Sequence, residues 1–369
     1  MNIVFISALE GGKYSGPLHS VPKQVISQSE FNSVYWVNLT NVNFCEEIDS
    51  NFYNFIPFRK FKIEKLPKPF CNPDLVVFEE FFKIECCLIA KKLRNKNIPY
   101  VIVPRCQMTK KYFENKKLKK KIASLLLFSK FAKGASSVQF LSNQELEDSI
   151  FYYTGNKNII PNGIDIPNEK RISIKNNKIQ FTFIGRYSIW QKGLDLLIIA
   201  ISKISNELRK NNVKFCLYGP DERTGSKDKI KQLVDKYNVS DLIDVNGPVF
   251  GKDKVNVLKN TTIFIHTSRF EGMPMAVLEA LSYSIPCFVT QGSNMREVIE
   301  KYEAGWGCNT TIYDIEKQLL NAINDISLIE KKGENALKLA KKYSWNYISK
   351  ESSIWYKKII EEKKQNECN

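Results

Sequence analysis

The stretch "TIFIHTSRFEGMPMAVLEALSYSIPCFVT", residues 262–290, reads as strand, loop, helix and strand. TIFIHT and IPCFVT are short apolar runs of the kind that buried strands show, and Pro274 suits a first helical turn. Val277, Leu278 and Leu281 share one face of the helix, while Glu279 points nearly opposite. A strand that returns through a helix to a second strand argues for parallel pairing with a crossover. The loop carries Glu271, directly before Gly272, Met273 and Pro274. Taken singly, Glu271 could complement the helix dipole and Glu279 could be a solvated residue. Their meaning depends on what the rest of the chain binds.

The same alternation runs through the whole chain. NIVFISAL opens it, followed by a glycine-bearing loop and a helix in PLHSVPKQVISQS. SVYWVNLT, DLVVFE, YVIVP and SVQFLS read as further buried strands, with helical stretches around 82–96 and 115–133 between them. SNQE at 142–145 has the form of a capping box. At 160–178 the sequence turns Pro-, Asn- and Lys-rich and loses apolar periodicity, as a linker would. A second series follows: IQFTFIG, a helix over 193–210, VKFCLYG, a helix over 225–237, LIDVNG, and then the opening stretch. The expected fold is α/β, with two doubly wound Rossmann-like halves of similar size. At 369 residues the chain suits two cores rather than one.

Composition narrows the function. Hydrophobic content of 43% and charged content of 25% describe a globular protein. No apolar run reaches the length of a membrane span, and MNIVFISALEGG lacks the basic leader of a signal peptide. Nine cysteines without a CxxC pair suggest reduced thiols in a cytoplasm. The two histidines, His19 and His266, stand without ligand-spaced neighbours, so no metal site is expected. His266 ends a strand and reads as a packed, hydrogen-bonded residue. The net charge of +16 implies an anionic partner. Much of it lies in KKYFENKKLKKKIASLLLFSKFAKG, residues 110–134, with nine lysines against one glutamate. That stretch is either a solvated helix with a buried stripe or a surface for anionic membrane. Nucleic acid is not expected as a partner, because the basic residues are not interleaved with stacking aromatics.

In open parallel sheets ligands bind beyond the carboxyl ends of the strands, so the loops there are the informative ones. FIGRYSIWQKG turns at Gly185 and presents Arg186 and Lys192 beside a helix start, a reasonable diphosphate clamp. ALEGGKYSGPLHSV places Gly11, Gly12 and Gly16 where backbone can approach a ligand closely. YVIVP ends in Pro104, Arg105, Cys106 and Gln107, which puts a cation at a strand end.

Taken together, FIGR…KG, YGP and the E-x7-E pattern of Glu271 and Glu279 resemble the donor-binding half of retaining GT-B glycosyltransferases, the family-4-like group 1 enzymes. IPNGID at 160–165 resembles the end of that family's first domain, and GGKYSGPLHSV the glycine loop of its capsule and O-antigen branch. The resemblance implies an acceptor domain over 1–166, a nucleotide-sugar domain over 167–345 facing it across a deep cleft, and a C-terminal helix, 346–369, returning to the first domain.

It also implies metal-independent transfer of a hexose from a nucleotide diphospho-sugar, UDP favoured over GDP, with no further cofactor. Arg186 and Lys192 would neutralise the leaving diphosphate and Glu271 would face the anomeric carbon. Gly185, Gly219, Gly272, Met273, Pro274 and Met275 would line the donor site, and Glu279 would take the ribose hydroxyls. Gly11, Gly12, Lys13 and Gly16 would lie on the acceptor side. Many relatives carry a His after the strand matching YVIVP, and the capsule branch commonly reads Pro-Arg-Gly there. With PRCQ in that place, Arg105 or Gln107 would have to serve. The acceptor would be polyprenyl-diphosphate-linked or a saccharide, met at the cytoplasmic face of the membrane. Other readings are a catalytically silent nucleotide-binding subunit of the same fold, a basic nucleic-acid-binding protein, and a sugar epimerase, which would want more acids and histidines.

Overall fold

A computed structural model describes residues 1–10, 16–42, 53–110, 118–149, 155–168, 178–221 and 225–368, with backbone alone for 118–125 and 366–368. Gly11, Gly12 and Lys13 lie outside these residues, as do Lys116, Lys117 and part of the expected linker, 169–177. The chain divides into two compact units, Met1–Gly163 with Trp345–Asn369, and Ile164–Ser344.

In the first unit, β1 (Asn2–Ser7), β2 (Ser33–Asn38), β3 (Tyr53–Phe55), β4 (Leu75–Phe78), β5 (Tyr100–Ile102), β6 (Ser137–Phe140) and β7 (Asn156–Ile159) form one sheet. Its order is β3-β2-β1-β4-β5-β6-β7 and every pairing is parallel. Successive side chains of a strand point to opposite faces, and both faces of this sheet are covered. Val4, Ile6, Val76 and Phe78 enter one core with Phe81, Phe128 and Phe131, while Ile3, Phe5, Leu75 and Val77 enter another. That is why these strands read as continuous apolar runs. The strands that sequence reading did not find are β3 and β7, both at sheet edges, and β13 below. NKNI in β7 is mostly exposed and polar, so no apolar run announces it.

The second unit holds β8 (Ile179–Ile184), β9 (Val213–Tyr218), β10 (Ile243–Asn246), β11 (Ile263–His266), β12 (Cys287–Thr290) and β13 (Gly305–Cys308). They run parallel in the order β10-β9-β8-β11-β12-β13. Phe181, Phe183, Ile263 and Ile265 pack under the Leu194–Lys203 and Ile312–Asn324 helices. On the other face Phe264, Cys287 and Val289 pack against Val277, Leu278 and Leu281 of the Met275–Ser282 helix. The single helix expected over 193–210 is two, broken at Ile204. β13 was missed because GWGC lacks a β-branched run; Gly305 there tolerates φ +158° and a backbone approach that no Cβ could share.

At Ser142 the hydroxyl accepts from the Glu145 N–H at 3.1 Å, the first half of the capping box. The Glu145 carboxylate completes it differently, accepting from the N–H groups of Leu141, at 2.7 Å, and of Cys106.

The Trp345–Cys368 helix lies within the first unit. Tyr356, Ile359 and Ile360 are buried in the same core as Ile3 and Phe5. Gln28 Nε2 donates to Ser349 O at 3.0 Å and to Ser352 Oγ at 2.6 Å, and Tyr356 donates to Gln139 Oε1 at 3.2 Å. The Trp345 ring packs on Gly163 so closely that a Cβ there would sit 2.4 Å from it. Tyr356 is fully buried, so Tyr356→Ala should destabilise the first unit by about 3–5 kcal/mol through the cavity and the lost hydrogen bond. Urea unfolding followed by circular dichroism measures this; an unchanged midpoint would remove the helix from that core.

Candidate functional site

Both strand orders reverse direction once, between β1 and β4 and between β8 and β11. At such a switch point the loops leaving adjacent strands diverge to opposite faces and leave a crevice at the carboxyl ends. In the second unit the loops concerned are 185–193, after β8, and 267–274, after β11.

These two loops are fastened to each other. Gly193 has φ +62°, and a Cβ there would stand 2.0 Å from Thr267 O, so only glycine fits the approach. Thr267 Oγ1 donates toward the carbonyls of Lys192 and Gly193 at 3.1 and 3.2 Å. The Arg269 N–H donates to Gln191 O at 2.8 Å. The Arg269 guanidinium pairs with both oxygens of Asp195 at 2.7 and 2.8 Å and donates to Trp190 O at 2.6 Å. Gly219 closes against the same loop, since a Cβ there would meet Gly185 O at 1.9 Å. Next to Gly185, Arg186 is exposed, while Tyr187 is buried and donates to Leu217 O or Asn246 O, at 2.8 and 2.7 Å.

The fastening aims Lys192 at Glu271, and the two form an ion pair with both side chains largely buried. Ser268 Oγ donates to the same carboxylate oxygen, Oε1, at 2.9 Å, and His266 Nε2 lies 3.3 Å from it. Asn294, itself at φ +59°, donates to the Glu271 carbonyl and fixes the backbone. Lys192, Ser268 and His266 converge on Oε1, and among the described residues none bonds Oε2. Burial alone would raise the Glu271 pKa, but the His266 and Lys192 contacts overcome it and hold the carboxyl at about 2. Burial first, with Lys192 beside it, keeps the His266 imidazole below its ordinary range. Near neutral pH Glu271 is therefore a carboxylate and His266 a neutral imidazole.

Gly272, Met273 and Met275 are half-buried and Pro274 buried at the start of the Met275–Ser282 helix. Glu279 is one-third exposed and pairs with Lys254. Among the described residues no group of three His, Cys, Asp or Glu side chains is placed to hold a metal ion.

Residues 165–342 match the glycosyl transferases group 1 family. The second unit is a group 1 glycosyltransferase domain. The chain is 28% identical over 249 residues to an uncharacterized glycosyltransferase of Methanocaldococcus jannaschii, with 63% of this chain and 59% of that protein covered. It is 30% identical over 149 residues to the Escherichia coli UDP-Gal:alpha-D-GlcNAc-diphosphoundecaprenol alpha-1,3-galactosyltransferase, covering 36% of each. These matches take in less than two thirds of either relative. Anabaena HepE in complex with UDP superposes at a TM-score of 0.71 and 15% identity, covering 97% of this chain and all of that one. The lipopolysaccharide glycosyltransferase WaaG superposes at 0.63 and 15% identity, covering 95% and 98%. At these identities the likeness establishes the GT-B type of fold.

Apart from the group 1 domain, the first unit has its own switch point, and two sequence expectations there need correction. Arg105 is not an exposed cation. Its Nε and Nη2 pair with Glu79 Oε2 at 3.0 and 2.7 Å, Nη1 donates to Ser20 Oγ and Asn162 Oδ1 at 3.0 Å, and Nη2 donates to Gln24 Oε1 at 2.7 Å. All five N–H donors are taken within the protein, and the pair is almost wholly buried. Gln107 is likewise a brace, its Oε1 accepting from the N–H groups of Phe81 and Phe82 at 2.8 and 2.9 Å. Cys106 sits at φ +66°, the left-handed conformation that glycine adopts without strain, which accounts for Pro-Arg-Gly at this turn in the sequences it resembles. Gly16 begins the Gly16–Gln28 helix with open space where a Cβ would stand.

The carboxylate at this rim is Glu80, which sequence reading did not single out. It accepts from the Ala8 N–H at 2.8 Å and from Gln107, beside the Lys83–Glu10 pair. Burial outweighs these contacts and raises its pKa to about 7. A carboxyl raised on folding contributes most below its unfolded value, near 4.5, and loses that contribution as pH rises through about 7. Glu80→Gln, which carries no charge, should therefore gain stability over wild type between pH 6 and 8.5, with the two converging near pH 4.5. Thermal melts across that range test the sign; a constant difference at every pH would show that Glu80 titrates normally.

Proposed function

We propose that the chain is a retaining glycosyltransferase that moves a hexose from a UDP-sugar to a lipid-linked or saccharide acceptor in surface polysaccharide assembly. The observation that carries this reading is Glu271: ionised, held through Oε1 by Lys192, Ser268 and His266, with Oε2 left for a ligand hydroxyl. A sugar presents hydroxyls that such an oxygen accepts, and its anomeric carbon gains positive charge as the nucleotide leaves. A fixed carboxylate at that point stabilises the charge without reorganising.

The diphosphate supplies the complementary need. Arg186 is exposed at the start of the 185–193 loop, and Lys192 ends the short helix within it. When a diphosphate arrives, Lys192 can exchange part of its contact with Glu271 for the leaving oxygen, which frees the carboxylate for the sugar. Phosphate charge is then met by the two cations, and neither a metal nor another cofactor has a part in the reading. Glu279, on the helix that follows, takes the ribose hydroxyls in exchange for Lys254. UDP is favoured over GDP because the galactosyltransferase relative uses UDP-Gal and the HepE structure holds UDP. The same relative, whose name specifies a diphosphoundecaprenol-linked acceptor, supports a lipid-linked one here.

Lys192→Ala and Arg186→Ala should each lower turnover of a UDP-hexose by about two to four orders of magnitude. Glu271→Gln should lower kcat strongly, whereas Glu279→Gln should mainly raise KM for the nucleotide sugar. Mass-spectrometric detection of UDP release from a panel of nucleotide sugars measures all four. Equal and mild effects throughout would leave the two acids as surface charges.

The proposed acceptor lies at a membrane, and the stretch 110–134 would hold the protein against its anionic cytoplasmic face. Sedimentation with anionic but not neutral liposomes, reversed by salt and lost when Lys116, Lys117, Lys119, Lys120 and Lys121 become Gln, is the expected result. A wild type that ignores anionic liposomes at low salt would point to a soluble saccharide acceptor.

A further inference from the structure

We infer that His266 is a positioning residue for the transfer, holding Glu271 through a proton fixed on Nε2 while Nδ1 stays bare. This rests on the reading of Glu271 given above.

His266 is the last residue of β11 and is 1% exposed. Its ring lies nearly parallel to Phe183 on one neighbouring strand and to Phe264 on its own, at centroid distances of 6.0 and 6.5 Å. Nε2 faces Glu271 Oε1 at 3.3 Å and Ser268 Oγ at 3.0 Å, whereas Nδ1 is buried and has no hydrogen-bond partner. These surroundings select the tautomer. A proton on Nδ1 would be a buried donor with nothing to donate to, and Nε2 would then turn a lone pair toward a carboxylate. With the proton on Nε2, one donor serves the carboxylate and the serine oxygen, while the Ser268 hydroxyl donates its own hydrogen bond to Glu271 Oε1 at 2.9 Å. The charged groups facing the ring are Glu271 and Lys192, whose mutual pairing leaves little to favour a second positive charge.

Packing alone does not explain the residue. A leucine or phenylalanine would fill a site between two phenylalanines without burying a nitrogen that lacks a partner. Only the Nε2 contact makes use of the imidazole, and it ends on the oxygen opposite the one left for the ligand. Loss of that contact would let the carboxylate rotate about its stem toward Lys192.

The chemistry gives a discriminating pair of variants, since a Gln amide nitrogen falls near Nε2 of histidine and an Asn amide nitrogen near Nδ1. His266→Gln should keep turnover of UDP-glucose or UDP-galactose within about fivefold of wild type, while His266→Asn and His266→Phe lose about a hundredfold in kcat. Affinity for UDP, read by calorimetry, should be unchanged in all three, because Lys192 remains. His266→Asn as active as His266→Gln, or His266→Phe as active as wild type, would overturn the inference. The protein has only two histidines, so ¹⁵N shifts of the imidazoles, assigned with a His19→Gln variant, read the tautomer directly whether or not the variants fold. A neutral ring protonated on Nε2 is expected; a proton on Nδ1, or an imidazolium at pH 7, would also overturn it. A wild type that turns over neither donor would instead refute the transfer reading, with the tautomer still decided by its spectrum.

Discussion

The lateral hydrogen bonding of β8 to β11 is the constraint on which the candidate site depends. These strands are separated in the chain by β9 and β10, yet Ile263 pairs with Phe181 and Phe264 with Thr182. Parallel neighbours must return through crossovers, and the reversal of strand order here sends those crossovers to opposite faces. The gap left at the carboxyl ends is where Lys192 and Glu271 meet. Gly193, Thr267, Arg269 and Asn294 then convert proximity into a fixed geometry, the glycine through a backbone approach that no Cβ could share and the other three through side-chain donors to backbone carbonyls.

Charge is distributed by need within this strongly basic chain. Glu271 stays ionised in a largely buried place because its neighbours supply more stabilisation than burial removes. Glu80 shows the opposite balance at the rim of the other sheet, where two hydrogen bonds and a nearby lysine do not offset desolvation. Two carboxyls of the same type therefore differ widely in acidity, and the difference comes from partners rather than from sequence neighbours.

The buried Glu79–Arg105 pair serves another purpose. Its guanidinium reaches Ser20 and Gln24 on the Gly16–Gln28 helix, and Asn162 near the end of the first unit's leading segment. Removing one partner of such a pair leaves an uncompensated charge, which typically costs about 3–5 kcal/mol. The pair thus ties the helix that follows the glycine loop to the turn after β5, and the turn is shaped by left-handed residues at 105 and 106.

The sequence by itself determined the class of fold: apolar runs alternating with amphipathic segments force parallel strands and crossover helices, because strands buried on both faces leave no polar alternation. It also marked which loops follow strands, and so drew notice to Arg186, Lys192 and Glu271. Tertiary structure alone decided which of those loops are neighbours, since strand order is a matter of pairing between segments distant in the chain. It supplied the partner of His266, read as a packed, hydrogen-bonded residue, in Glu271, and took Arg105 from a cation at a strand end to a saturated buried one. The Arg105 partners come from distant segments, and for His266, whose partners lie on the loop that follows its strand, it is the fold of that loop that turns Glu271 back to the ring. Edge strands such as β7 escaped notice for a related reason: one side of an edge faces solvent, so burial imposes no apolar signature on its residues.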